Sequence, residues 1–442
     1  MFTKKQLYKL IIPLIIEQLL AVAVGMSDTM MVSYAGEAAM SGVSLVDTLN
    51  ILLINVFAAL ATGGAVVASQ FLGHKDEKEA CKSGSQLLLT TGAISIIVML
   101  ISIIGNYSIL HMIYGDINPE IMKNARIYFY ITAMSFPFIA IYNSCAALCR
   151  AMGNSKVSMK VSLLMNLINI TGNAILIYGF RMSAEGVAIP TLISRLVASI
   201  VMLFVISNKK HVIHIDNIFK LGFDWKMIKR ILRIGIPSGL ENSMFQIGKI
   251  LVQGLIASFG LTAISANAVA GNLANFQSIT GSSIGLAMIT VIGQCVGANN
   301  FEEAKNYTKK LMKATYTAMF FLNIGFILLA TTMLQIYNLS SETLNVAYKL
   351  VVYHAVCGII FWPLSFTLPN ALRAANDVKF TMLTSILSMW LWRITFSYIL
   401  GRYMGLGVYG VWFAMTLDWM FRGACFVWRF LSGKWKHQAF AD

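Results

Sequence analysis

Twelve long apolar runs, each about as long as a membrane-spanning helix, constrain the fold of this 442-residue chain more than any other feature. A helix that crosses a bilayer needs about 20 mostly apolar residues. Membrane barrels are built instead from alternating segments of about ten residues, which these runs do not resemble. The predicted spans are 9–33, 43–71, 84–105, 127–149, 158–180, 186–206, 231–259, 267–296, 311–334, 347–371, 380–401 and 407–431.

The scarcity of charge supports the same interpretation. Hydrophobic residues make up 57% of the chain and charged residues only 12%, whereas soluble domains carry about 25% charged residues. Such a chain cannot cover itself with a water-compatible surface, so lipid must be part of its solvent. The sequence therefore predicts an all-α, multi-pass membrane protein.

The basic residues predict the orientation. Most of the 34 Lys and Arg residues lie in loops on one side of the predicted membrane. By the positive-inside rule, this side and both termini are cytoplasmic, in the plasma (inner) membrane. The net charge of +15 is explained by anionic lipid and predicts no nucleic-acid partner.

The sequence offers little support for an enzyme. Its six cysteines have no metal-ligand or disulfide spacing, and it contains no phosphate-binding loop of the Walker type. No nucleophile–base constellation is present either. We therefore expect no enzymatic activity, no structural metal and no cofactor apart from a coupling ion.

An internal repeat links the two halves of the chain. Pro13 and Pro237 are 224 residues apart, as are Glu17 and Glu241, and later pairs keep this register to within one residue. The predicted organisation is an N-lobe over 1–206 with six spans, a basic cytoplasmic linker over 207–228, and a C-lobe over 229–442 with six spans. Two lobes of equal topology can rock about a central cleft, which is typical of alternating-access transport.

Ionisable and amide side chains inside the first lobe are candidates for function, because polar groups in lipid are costly. Glu17 and Asp28 are eleven residues apart and so share a face of the first span, roughly 16 Å apart along its axis. Asp47 lies in the second span. The fifth span carries a polar stripe that forms either a proton or cation site or interhelical hydrogen bonds; its members are Asn166, Asn169 and Asn173.

The second lobe has a different polar inventory. Lys249 has no charged counterpart in the first lobe and calls for an acidic partner, which is Asp28, Asp418 or the substrate. Arg422 follows Asp418 by one helical turn, which favours an ion pair between them. We place near the substrate cleft Glu17, Asp47, Asn166, Asn242, Phe245, Gln246, Lys249, Gln253, Asn272, Asn275, Gln277 and Asp418.

Several motifs, in one order along the whole chain, resemble the multidrug and toxic compound extrusion (MATE) family. They are MSDTMMVSYAG, SQFLGHKDEKEA, RAMGNSK, NLINITGNAILIYG, GVAIPTLISR, GQCVGANNFEEA and RAANDVK. The resemblance implies a V-shaped fold of twelve helices in two pseudo-symmetric lobes. It also implies a monomeric antiporter that exports drug-like, often cationic and lipophilic, small molecules in exchange for H⁺ or Na⁺.

The resemblance also suggests which residues couple the ion. The family's conserved positions match Asp28 in the first span, Asn143 in the fourth, Asn169 and Asn173 in the fifth, and Thr191 in the sixth. Many members have aspartate where this chain has Asn173, so the choice between H⁺ and Na⁺ stays open; a sodium ion would be held by Asp28, Asn169 and Asn173. A second cation site, in the C-lobe, would rest on Glu241.

Two other functions compete with drug export. Lipid-linked oligosaccharide flippases resemble distant relatives of the family, but they use several basic residues in the cleft where this chain offers Lys249 and Arg393. A channel or membrane scaffold is the alternative of another class, although paired lobes with buried carboxylates are not expected there. Within the transport hypothesis, we expect the first lobe to handle the ion and the second to select the substrate.

Overall fold

The structure is a computed structural model that describes residues 2–215, 222–337 and 339–438. This part of the chain is built from sixteen α-helices. The α-helices, α1 to α16, are Lys4–Ser33, Glu37–Gly73, Glu77–Ile104, Asn106–Tyr114, Pro119–Met134, Phe136–Ala151, Ser155–Ala174, Glu185–Ile206, Trp225–Ala257, Leu261–Gln277, Ile279–Gly297, Phe301–Gln335, Ser341–Ile360, Leu368–Ala374, Val378–Ser388 and Gly407–Leu431.

Several spans are interrupted by short π-helical segments, in which one extra residue widens a helical turn. One follows α7, one lies between α13 and α14, and two lie between α15 and α16. Their bounds are Ile175–Gly179, Pro363–Thr367, Met389–Ile394 and Ser397–Tyr403. A 3₁₀ turn at Lys434–Gln438 follows α16.

The helices fit the predicted twelve spans. Nine helices in the described ranges are long and apolar enough to cross a membrane, and α5 with α6, bent by 45°, forms a tenth span. The two remaining predicted spans correspond to α9 and α16. These are the helices that carry Glu241 and Lys249, and Asp418 and Arg422, so charged residues interrupt their apolar sequences.

Two further predicted spans are broken at a serine. The fourth bends at Ser135, whose hydroxyl donates to the carbonyl of Thr132 at 2.6 Å. The eighth divides at Ser278 into α10 and α11, and the Ser278 hydroxyl bonds the carbonyl of Asn275 at 3.0 Å. A serine that bonds back to the preceding turn commonly bends a helix, which periodicity alone does not reveal.

The chain divides into two compact units. One is Thr3–Gly239, in which α1 packs on α7, α2 packs on α3, α5 and α6, and α7 packs on α8. The other is Leu240–Asp442 together with the first two residues, in which α11 packs on α12 and α14, and α13 packs on α10 and α12. The division falls inside α9, and residues 216–221 of the predicted linker 207–228 lie outside the described residues.

The repeated motifs encode the same turn in both units. Asp76 caps α3 by accepting a hydrogen bond from the backbone of Glu79 at 3.0 Å, and Asn300 caps α12 through Glu303 in the same way. The residue before each cap has a positive φ, which is 62° at Lys75 and 54° at Asn299. The loops therefore start matching helices, and the acidic first turns complement the helix dipole.

Large apolar side chains cover the outside of the helices. Ile104, Phe204 and Leu328 are each at least 75% exposed. A soluble monomer would not leave so many such side chains in water. These surfaces are suited to lipid, while small residues permit close packing inside; a Cβ at Gly63 would lie 2.7 Å from the carbonyl of Ile231.

Candidate functional site

Three helices of the first unit bring Asp28 together with an amide network. Asn173 on α7 donates a hydrogen bond to Oδ1 of Asp28 on α1 at 2.6 Å. The same amide group of Asn173 lies 3.3 Å from Oδ1 of Asn169. The amide Nδ2 of Asn169 in turn donates a hydrogen bond to the hydroxyl of Thr191 on α8 at 3.0 Å. We call these four residues the Asp28 cluster. Four of the predicted ion-coupling residues therefore form one connected site.

The chemistry of the Asp28 cluster fits a small cation or a proton. Both amides and the hydroxyl are buried. The carbonyl oxygen of Asn173, Oδ1, finds no hydrogen-bond partner among the described residues. A carboxylate beside an unpartnered amide oxygen supplies the oxygen donors that hard cations prefer.

The other predicted polar residues on these helices are less connected. Asn143 is half-buried on α6, and its side chain makes no hydrogen bond to the part of the chain that the structure describes. Asn166 is buried on α7, and its Nδ2 has no partner within the described ranges. The stripe of three asparagines thus divides, with Asn169 and Asn173 in the Asp28 cluster and Asn166 outside it.

A second carboxylate lies near the Asp28 cluster. Asp47 on α2 accepts a hydrogen bond from the phenol of Tyr128 on α5 at 2.8 Å. Arg195 on α8 interacts electrostatically with Asp28 and Asp47, and its guanidinium donates to the hydroxyl of Ser135 at 2.7 Å. Sequence reasoning did not assign a role to Tyr128 or Arg195, although an arginine inside a predicted span was a signal.

Glu17 and Glu241 are each held by an arginine at equivalent positions of the repeat. In the first unit, Oε1 of Glu17 lies 3.4 Å from Arg150, and Ser158 donates to the other oxygen at 2.8 Å. In the second unit, Oε1 of Glu241 lies 2.7 Å from Arg373. Both carboxylates thus make helix-to-helix bridges, and their predicted roles in transport stay predictions.

The second unit contains a buried carboxylate shared by two arginines. Asp418 is fully buried and lies 3.4 Å from Nε of Arg422, which confirms the ion pair predicted from their spacing. Oδ2 of Asp418 is 3.9 Å from Arg393, and Ser388 donates a hydrogen bond to Oδ1 at 2.6 Å. In the described ranges no ion pair within 4.0 Å joins Lys249 to Asp418, whose carboxylate contacts the two arginines instead.

A pocket of about 300 Å³ opens beside these groups in the second unit. Four predicted cleft residues line it, namely Phe245, Lys249, Gln253 and Asn275. Arg393, already considered as a basic residue of the cleft, also lines it. Other parts of its wall were not anticipated, and they are His354, Trp362, Phe366, Trp412 and Trp419. The tryptophans had no periodic signal that distinguished them from lipid-facing residues.

The remaining predicted cleft residues of this unit lie elsewhere. Gln277 is buried, and its side-chain oxygen contacts Nδ1 of His354. Asn242 and Asn272 are exposed, Gln246 is half-buried, and none of the three lines the described pocket.

Comparison with known proteins identifies the family. The MatE family model matches residues 13–175 and, 224 residues later, residues 237–399, which together exceed half of the chain. The chain belongs to the MATE family. It is therefore a membrane transporter and not an enzyme, as predicted. The two matches to one model keep the register of the internal repeat.

The MATE assignment agrees with individual relatives. The chain is 25% identical to "Uncharacterized transporter YisQ" of Bacillus subtilis, covering 98% of this chain and 96% of the relative. It is 25% identical to "Probable multidrug resistance protein NorM" of Thermotoga maritima, covering 99% and 94%.

Solved structures show the same fold. A MATE transporter in an outward-facing conformation matches with a TM-score of 0.89 at 18% identity, covering 98% of this chain and 96% of that one. A MATE structure in the bent conformation matches with a TM-score of 0.88 at 19% identity, covering 99% and 97%. The predicted twelve-helix MATE architecture is confirmed.

Proposed function

We propose that this MATE protein is a secondary active antiporter that exports drug-like, often cationic and lipophilic, compounds in exchange for H⁺ or Na⁺. The observation that carries the proposal is the bond between Asn173 and Asp28. It holds a carboxylate among amides inside an apolar helical unit. A coupling ion binds there because it neutralises the negative charge of Asp28.

The coupling step follows from competition at the Asp28 cluster. An ion that binds from outside neutralises the carboxylate, and a cationic substrate that arrives from the cytoplasm displaces it. Since a single negative charge serves both, each occupant excludes the other, and alternating access converts this exclusion into exchange. Two comparisons support this proposal. A relative is named as a probable multidrug resistance protein, and structural neighbours have been solved in outward-facing and bent conformations.

The proposal includes the setting of the protein. We place it as a monomer in the plasma membrane with both termini cytoplasmic, because the basic residues favour that side. It needs no cofactor besides the coupling ion and no nucleic acid. Its partners are the lipid bilayer and the small-molecule substrates.

Reconstitution tests the function directly. Ethidium is loaded into proteoliposomes, and its movement is followed under a proton gradient, a sodium gradient, or neither. We expect one gradient to drive uphill movement and the other to be ineffective, and we expect unlabelled ethidium on the far side to accelerate exchange in counterflow. Movement that is equal under all conditions and shows no counterflow would indicate conduction and contradict antiport.

A further inference from the structure

Three cationic side chains of the second unit surround one aromatic ring. The distances to the ring centroid of Phe245 are 5.9 Å from Nζ of Lys249, 5.5 Å from Cζ of Arg393 and 5.4 Å from Cζ of Arg422. Such contacts stabilise cations only modestly. Like charges gathered this closely in an apolar unit need a further anion to offset their repulsion.

The described residues supply only part of that negative charge. Asp418 lies between Arg393 and Arg422, while no carboxylate oxygen in the described ranges lies within 4.0 Å of Lys249. Nε of Arg393 is also buried without a hydrogen-bond acceptor. Two of the three cations share this carboxylate and the third has none within 4.0 Å in the described ranges, so positive charge is in excess beside the pocket.

The pocket next to these cations is small and aromatic. Lys249 and Arg393 both line it, and its described wall contains no acidic residue. Phe245, Trp412 and Trp419 also contribute to this wall, and the volume is about 300 Å³. Pockets at the lower end of the usual range hold small ring systems, and aromatic walls favour planar ligands.

The repeat places this pocket at the counterpart of the Asp28 cluster. Adding the repeat offset of 224 residues moves Asp28 to Val252, which lines the pocket. Asp47 likewise corresponds to Gly271, another lining residue. Carboxylates are thus in excess at this place in the first unit, and cations are in excess at the corresponding place in the second.

We propose that the pocket binds an aromatic carboxylate, with its negative group at Lys249 and Arg393 and its ring against the aromatic wall. This C-lobe site would extend the substrates of the proposed exporter to aromatic anions and zwitterions, and it rests on the proposed function only for their transport. Binding itself depends on the charges and shape of the second unit.

The test compares two probes of nearly equal shape, 1-naphthoate and the neutral 1-naphthamide. Their binding to the purified full-length protein is measured by titration calorimetry. We expect naphthoate to bind about tenfold more tightly, because a charge-assisted hydrogen bond contributes about that factor. Lys249→Met should remove most of this preference, while Lys249→Arg should retain it.

A lysine at the other end of the same helix provides the matched control. Lys226 is exposed near the start of α9, so Lys226→Met removes a charge without reaching the pocket and should leave the preference unchanged. Equal affinity of the wild-type protein for both probes, or an unchanged preference in the folded Lys249→Met variant, would overturn the proposal.

Ethidium exchange in vesicles, measured on the same preparation, separates the two proposals. Naphthoate preference without gradient-driven ethidium exchange would support the anion site and contradict the antiporter function. Ethidium exchange without naphthoate preference would support the antiporter function and contradict the anion site.

Discussion

The side-chain amide of Asn173 donates a hydrogen bond of 2.6 Å to the carboxylate of Asp28. The bond joins α7 to α1 and fixes the orientation of the acid. It also leaves the amide oxygen of Asn173 without a partner among the described residues. The asparagine therefore both positions the carboxylate and offers a second oxygen to an ion.

Removal of the charge at Asp28 should uncouple transport. We expect Asp28→Asn to reduce gradient-driven ethidium efflux to the level of empty vesicles, because no group of the Asp28 cluster would then exchange an ion with substrate. Expression and thermal stability should stay close to wild type, since an asparagine still hydrogen-bonds Asn173. The control Glu37→Gln, at an exposed acid that begins α2, should transport normally; full efflux by Asp28→Asn would remove Asp28 from the mechanism.

A second carboxylate beside Asp28 should change the pH dependence. Asn173→Asp places two acids at hydrogen-bond distance, and the pair retains one proton to higher pH because both cannot ionise freely. We expect the pH optimum of efflux to move upward by roughly one unit. Efflux is measured from pH 5.5 to 9 in vesicles, and an unchanged optimum in a normally expressed variant would favour a purely structural role for Asn173.

The Glu241–Arg373 bridge should contribute to stability. The side chains are only 8% and 15% exposed, so removal of one partner leaves the other charge poorly solvated. We expect Glu241→Gln to destabilise the protein by about 3 kcal/mol, measured by thermal unfolding in detergent. The double variant Glu241→Gln with Arg373→Met should lose less than the sum of the single variants; strict additivity would mean that the two groups do not interact.

Lys249 should be nearly neutral for stability, in contrast to Asp418. Lys249→Met removes a cation that lacks a described acidic partner and is repelled by Arg393, so we expect a change within about 0.5 kcal/mol. Asp418→Asn removes the negative charge that two arginines share and should lower the free energy of unfolding by about 3 kcal/mol. The same thermal assay compares them, and a large loss in Lys249→Met would reveal an acidic partner.

Close packing at Gly63 should not tolerate a methyl group. A Cβ there would meet the backbone carbonyl of Ile231 at 2.7 Å, whereas a Cβ at Gly92 on α3 meets nothing within 4 Å. We expect Gly63→Ala to lower the melting temperature by several degrees, corresponding to about 1–3 kcal/mol. Gly92→Ala should be neutral or slightly stabilising; equal effects of the two substitutions would mean that the helices separate easily.

Much of the fold could be predicted from sequence because its signals are local. Span length follows from bilayer thickness, the turn at Asp76 recurs at Asn300, and the pair Asp418 and Arg422 follows from one helical turn. The breaks at Ser135 and Ser278 could not be predicted, because a serine bonds the preceding turn in many straight helices as well.

The candidate site was only partly predictable because its contacts join distant helices. Asp28 and Asn173 were candidates because they are polar residues inside predicted spans, whereas Thr191 came from family resemblance alone. The bond from Tyr128 to Asp47 and the arginine near them depend on helix packing that no local pattern specifies. For Lys249, the expectation of an acidic partner treated one residue in isolation, whereas its surroundings are shared with other cations.

The two glutamate–arginine bridges also record the history of the chain. The contact between Glu17 and Arg150 recurs between Glu241 and Arg373. We infer that a bridge found at matching positions in both halves was already present in a single ancestral half before its gene was duplicated, since the alternative requires both partners to arise twice. The charges around Asp28 have no such match in the second half. The glutamate–arginine ion pair between these helices is therefore older than the difference in charge between the Asp28 cluster and the pocket of the second unit.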